Sequence, residues 1–199
     1  VKALLTFSRA VDQINTRVGQ WLSWLIVVAV LVSTTNAIIR KLFDASSNSW
    51  LELQWVLFGA VFLLCSPWTL IQNEHIRIDI VNQLLPRATR NWIDLIGHVL
   101  FLLPMALVMT YTSINFFSRS YAANEQSFSA GGLPQWPAKF LILLGFAVLT
   151  VQALSEIVKR VAIMTGDLED THGGGGHHAS AEAEAERLLA VAKAEAERR

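Results

Sequence analysis

Four stretches of this chain run without a charged residue: 18–39, 53–73, 95–118 and 140–155. At 1.5 Å rise per residue, the 21 positions from Leu53 to Asn73 make a helix of roughly 30 Å, the thickness of a bilayer's hydrocarbon core. The pattern predicts an all-α integral membrane fold with four transmembrane helices at about 18–39, 51–73, 93–118 and 136–158, inside a membrane domain covering 18–165. The fourth uncharged core is the shortest. Lys139 at one end, and Glu156 and Lys159 at the other, lengthen it by snorkelling toward the headgroups. Pro67 is expected to kink the second span, which other helices or Ser66 can tolerate in a membrane, and Pro104 to bend the third.

Outside the spans the period changes. In residues 1–17, Leu4, Phe7, Val11 and Ile14 recur at spacings of three and four, continuing to Val18, while Lys2, Arg9, Asp12 and Arg17 fall on the other side. This predicts an interfacial amphipathic helix lying among the headgroups; the alternative is a cytoplasmic extension of the first span. In the loop after the second span, Ile80, Val81, Leu84 and Leu85 share a helical face. Asp79 can N-cap this second surface helix, and Pro86 stops it. Residues 40–50 and 119–135 read as polar loops.

The seven tryptophans cluster at predicted span ends, an aromatic-belt pattern that supports the boundaries independently of the charge gaps. Orientation follows from the basic residues. Lys2, Arg9, Arg17, Arg77, Arg87, Arg90, Lys159 and Arg160 flank one side, against Arg40, Lys41, Arg119 and Lys139 on the other. This asymmetry predicts both termini inside.

Composition sharpens the division. The chain is 53% hydrophobic with a mean hydropathy of +0.41. Its zero net charge hides a basic membrane body to Thr165 and an acidic remainder from Gly166. No basic block resembles a nucleic-acid footprint. Residues 166–178 form a flexible Gly/His linker, and 179–199 an Ala/Glu-rich tail, helical or disordered, with a partner-docking helix as the functional alternative.

Candidate chemistry is sparse. Cys65 stands alone, which excludes an intrachain disulfide and thiolate metal sites. There is no nucleophile–base pair, phosphate loop or metal-ligand spacing, so neither an enzyme nor a bound cofactor is expected. His98 lies one turn inside the third span and is expected to hydrogen-bond a neighbour. Glu52 sits at the outer start of the second span, as an anchor, a partner for Arg40 or Lys41, or a contact for another subunit. Glu74, His75, Arg77 and Asp79 crowd the inner end of the same span. A haem-binding membrane anchor would need two axial histidines facing each other within the spans. A self-contained small carrier would need a carboxylate near mid-membrane, and the sequence places none there.

Three motifs carry a resemblance. WLELQWVLFGAVFLL at the start of span two, NEHIRIDIVNQLLPRATRNWIDLIGH after it, and GGLPQWPAKFLILLGF at the start of span four resemble the small membrane subunit of tripartite ATP-independent periplasmic transporters. The likeness runs from about residue 10 to 165. It implies a four-span subunit of the bacterial inner membrane that braces the scaffold of a large multi-span subunit. That partner would import an organic acid with sodium, delivered by a periplasmic solute-binding protein. The resemblance also implies that Trp50, Glu52, Gln54, Trp55, Glu74, His75, Arg77 and Asp79 contact the large subunit or membrane lipids.

Overall fold

The computed structural model describes residues 2–44, 47–72 and 86–168. Helix α1 covers Lys2–Phe43 and α2 covers Asn48–Gln72. A third rod is built from α3 (Arg87–Ile96), a π-helical segment (Gly97–Leu102) and α4 (Leu103–Ala122); α5 covers Trp136–Thr165. Each of the four rods is long and apolar enough to cross a membrane. Among the described residues there is no strand, only an isolated bridge between Gln126 and Pro134.

The helices extend past the predicted spans, and this changes the reading of the N-terminus. The 1–17 stretch and the 18–39 span form one unbroken helix of 42 residues, roughly 63 Å long at 1.5 Å per residue. No proline interrupts it, and its one glycine, Gly19, is packed under Trp68. Of the apolar arc only Val11 packs inward. Leu4, Phe7, Ile14 and Val18 are exposed, whereas Leu5, Ser8, Val11 and Asn15 are buried. α1 runs on to Phe43 and α2 begins at Asn48, so the helices take up much of the 40–50 stretch read as a loop. The second surface helix proposed for 80–85, and the tail from 169 onward, lie outside the described residues.

Both interior prolines are accommodated by local rearrangement. Pro67 supplies no N–H to the Leu63 carbonyl, and the Ser66 hydroxyl donates to that carbonyl instead at 2.9 Å, so α2 continues. Pro104 likewise cannot donate to Leu100. The π-helical turn immediately before it widens the backbone, with the Leu103 N–H reaching the His98 carbonyl. Hydroxyls of Thr69, Thr110, Thr112 and Thr150 donate to carbonyls one turn back, keeping these polar side chains satisfied inside their own helices.

α5 is the hub, touching α1, α2, α3 and α4. Its buried residues are small or polar: Gly145, Thr150, Gln152, Ala153, Ser155 and Ala162. At Gly145 the α2 backbone comes so close that an added Cβ would lie 2.8 Å from the Leu63 Cβ and 3.2 Å from its carbonyl oxygen. The distribution of residue types inverts that of a water-soluble protein. Buried positions include Ser8, Asn15, Asn36, Ser113, Thr150, Gln152 and Ser155, while Trp21, Leu31, Phe62, Phe101 and Tyr111 face outward. That inversion is expected of helices surrounded by lipid, where small and polar side chains hold the helices together and large apolar ones meet the hydrocarbon.

Candidate interface at the two ends of the bundle

The end of the bundle that carries the 123–135 loop, the outer end in the expected orientation, is organised by Glu52. The sequence offered Arg40 or Lys41 as its partners; the structure gives it the 123–135 loop instead. Its Oε1 accepts from the Ser127 hydroxyl, and its Oε2 accepts the Leu133 N–H at 2.7 Å. One turn earlier on α2, Asn48 Nδ2 donates to the Ala130 carbonyl at 3.0 Å, and the Ser49 hydroxyl donates to the Gly131 carbonyl. Gly132 has no room for a Cβ, which would run into the Ser127 side chain and the Glu52 carboxylate. The first turn of α2 thus serves as a template for the loop.

The far side of that loop is held by charge and aromatics. Lys139, on the first turn of α5, pairs with Glu125 and lies 4.3 Å above the Phe116 ring. It therefore does not snorkel to headgroups. The hydrogen bond from Lys139 holds the Glu125 carboxyl below the ordinary carboxylate value. Tyr121 meets Trp136 edge-on at 5.5 Å, and Phe117 packs on Phe140 at 5.3 Å.

Of the other residues expected at an interface, Trp55 is 70% exposed and Trp50 38%, while Gln54 is half-buried. Glu74, His75, Arg77 and Asp79 lie outside the described residues.

The opposite end, the inner one in the expected orientation, holds a network that the sequence reading missed. Gln152 has no exposed surface. Its Oε1 accepts from Asn15 Nδ2 at 2.7 Å, and its Nε2 donates to Asp12 at 2.8 Å and Glu156 at 2.9 Å. Every strong hydrogen-bonding group of the amide is engaged. Lys159 pairs with Asp12 at 2.9 Å and with Glu156, and the Ser8 and Ser155 hydroxyls meet at 2.7 Å. Lys159 and Glu156 thus turn inward rather than snorkel. Next to them Arg160 bridges to the third rod, pairing with Asp94 at 2.9 Å and donating to the Asn91 side-chain oxygen at 3.1 Å.

A signal for this network was present in the spacing. Ser8, Asp12 and Asn15 are four and three apart, as are Gln152, Glu156 and Lys159, so each set forms one polar stripe on its helix. Assigning Asp12 to a solvent face obscured the first stripe, and assigning Glu156 and Lys159 to the headgroups obscured the second.

His98 behaves as expected, with Nδ1 2.6 Å from the Asp94 carbonyl. A carbonyl only accepts, so this nitrogen carries the hydrogen. It is the single histidine among the described residues, which gives the haem-anchor alternative no facing pair. Among the same residues, no group of three or more His, Cys, Asp or Glu could hold a metal ion.

Compared with known families, residues 15–162 match the one described as the DctQ component of the tripartite ATP-independent periplasmic transporters. No curated protein matches the chain.

Proposed function

Because the chain belongs to the DctQ component family of the tripartite ATP-independent periplasmic transporters, it is a small membrane subunit of such a transporter and not an enzyme, and we propose that it braces the large subunit's scaffold without carrying cargo itself. Membership implies association with a large membrane subunit and a solute-binding protein. In this reading the large subunit performs the sodium-coupled step, and the binding protein delivers an organic acid. The protein sits in the bacterial inner membrane with both termini in the cytoplasm. Trp50 and Trp55, with Gln54 and the Glu74, His75, Arg77 and Asp79 corner, meet the large subunit or its lipids.

One observation supports the brace above all. Gln152, the largest fully buried side chain among the described residues, and the charged groups beside it are committed to bonds within the chain. A translocating body needs polar groups that can release one partner and take another. Here the polar groups lock α1 to α5.

The test is uptake into proteoliposomes. The large subunit, the binding protein and this chain together should accumulate a labelled organic acid under an inward sodium gradient, and this chain alone should accumulate none. Full uptake by the large subunit and binding protein without this chain would overturn the brace; so would transport by this chain alone. Reporter fusions at Thr165 and at the N-terminus test the orientation.

A further inference from the structure

The seam between α2 and α5 is closed at one level and open at another. It closes where Gly145 meets Leu63, with no space for a Cβ. Toward the outer end the two helices stand apart and leave a cavity of about 480 Å³, lined on α2 by Val56, Gly59 and Leu63 and on α5 by Ala138, Leu141 and Ile142. Gly59 opens into it, since a Cβ there meets nothing within 4 Å. Trp55 and Phe128, 70% and 103% exposed, flank the mouth. The loop that Glu52 holds forms the roof, with Ser127 and Ser129 among the lining residues.

The dimensions select the occupant. From Glu52 to Leu63 the lining follows about three turns of α2, roughly 16 Å and about half of a bilayer's hydrocarbon core. Spread over that length, a volume of about 480 Å³ has a mean cross-section of roughly 30 Å². A helix with its side chains is about 10–12 Å across, so a partner helix would lay a ridge of side chains over the mouth rather than lie inside. A single side chain reaching in from another protein fills only part of the length. A hydrocarbon chain hung from the headgroup level has both the width and the reach.

We propose that this groove holds one acyl chain of a phospholipid from the leaflet on the side of the 123–135 loop, with its headgroup level with the Ser127 and Ser129 hydroxyls. The proposal rests on the membrane-spanning fold and is independent of the transporter partnership.

The full chain, reconstituted in vesicles of phosphatidylethanolamine and phosphatidylglycerol, is photolysed with a phospholipid carrying a diazirine midway along one acyl chain. Peptide mass spectrometry then maps the label. The expected result is labelling of 53–63 and 138–142 several-fold above the exposed apolar face of α1 around Val28 and Leu31. Gly59→Phe fills the groove from one wall and Ala138→Phe from the other; each should bring the seam down to the α1 level while circular dichroism stays helical. Equal labelling of the seam and α1 in the unaltered chain would overturn the proposal, as would undiminished labelling in either folded variant. So would loss of the label on co-reconstitution with the large subunit, together with Gly59→Cys cross-linking to it, because the groove would then take protein. Should neither variant fold, the seam-to-α1 ratio in the unaltered chain decides.

Discussion

The outer and inner ends of this bundle are both held by polar contacts, but of different kinds. At the outer end, side chains of α2 bind the backbone of a loop: Glu52 to Leu133, Asn48 to Ala130, Ser49 to Gly131. At the inner end, side chains bind side chains between helices far apart in sequence: Asn15 and Asp12 to Gln152, and Asp12 to Lys159. Water can replace a broken bond at the outer end, where the loop lies beyond the spans. It cannot easily do so around Gln152, which has no exposed surface. Contacts at the outer end therefore set the shape of a loop, and those at the inner end set how two rods cross. Loss of an inner contact should cost more and be felt by the whole bundle.

The largest expected effect comes from Lys159→Met. It leaves Asp12 and Glu156 around Gln152 without the cation that joins them. Breaking a fully buried pair costs about 3–5 kcal/mol, and exposed pairs contribute about 0–1; with Lys159 20% and Asp12 23% exposed, we expect a loss of about 2 kcal/mol. Unfolding in detergent micelles measures it. Adding Asp12→Asn and Glu156→Gln to Lys159→Met should recover most of the loss, because no uncompensated charge is left. If the triple variant is no more stable than the single one, charge compensation is not what joins these helices.

Next in size is a pair of glycines on the α2–α5 seam. Gly145→Ala forces a methyl into the Leu63 backbone, and overpacking of this kind costs about 1–3 kcal/mol, offset by up to about 1 kcal/mol of helix propensity. Gly59→Ala meets open space and should keep the propensity gain, leaving the protein unchanged or up to about 1 kcal/mol more stable. The two substitutions are chemically identical, so opposite signs in the same unfolding assay would confirm that the seam is closed at one level and open at the other. Equal effects would contradict it.

These cases also show what the sequence could and could not reveal. The charge gaps marked the four rods because a bilayer penalises ionisable groups at depth, a constraint written locally along the chain. Ser66 beside Pro67 and His98 beside Asp94 were legible for the same reason, since their partners lie within one turn. Pairings between rods were not legible. Nothing near Asp12 in sequence points to Lys159, which is 147 positions away. The apolar arc of residues 4–18 turns mostly outward, as a lipid-facing surface does, and it said nothing of the polar stripe beside it that packs against α5. Glu52 was read as an anchor, a partner for Arg40 or Lys41 or a subunit contact; its partners Ser127 and Leu133 lie in a loop whose path depends on where α4 ends and α5 begins.

Glu52→Gln tests the outer end. The amide can keep an acceptor on the Leu133 N–H only by turning its N–H toward the Ser127 hydroxyl, which must then accept instead of donate, and the charge that strengthened both bonds is lost. Hydrogen exchange at the Leu133 amide should speed up severalfold, while the global unfolding midpoint moves much less than in Lys159→Met. A global shift as large as that of Lys159→Met would erase the distinction between a loop-shaping end and a rod-crossing end.

The smallest effect lies at Glu125. Its carboxyl is held below the ordinary value of 4.5, chiefly by the Lys139 hydrogen bond. A depressed folded value means that the contribution of this pair is fully present above the unfolded value and disappears as pH falls through the folded one. Stability of the loop should therefore rise with pH across that acidic window and stay flat above it. A carbon-13 titration of glutamate carboxyls in micelles should give Glu125 a midpoint below 4.5, and Lys139→Met should move it upward. Because the Gln135 N–H donates to the Glu125 carbonyl at 2.9 Å, protonation should loosen the base of the loop while leaving the Asp12–Lys159 crossing intact. A Glu125 midpoint that does not respond to Lys139→Met would mean that Lys139 does not set it, and the charged side of the outer end would then reduce to the aromatic contacts among Tyr121, Trp136, Phe117 and Phe140.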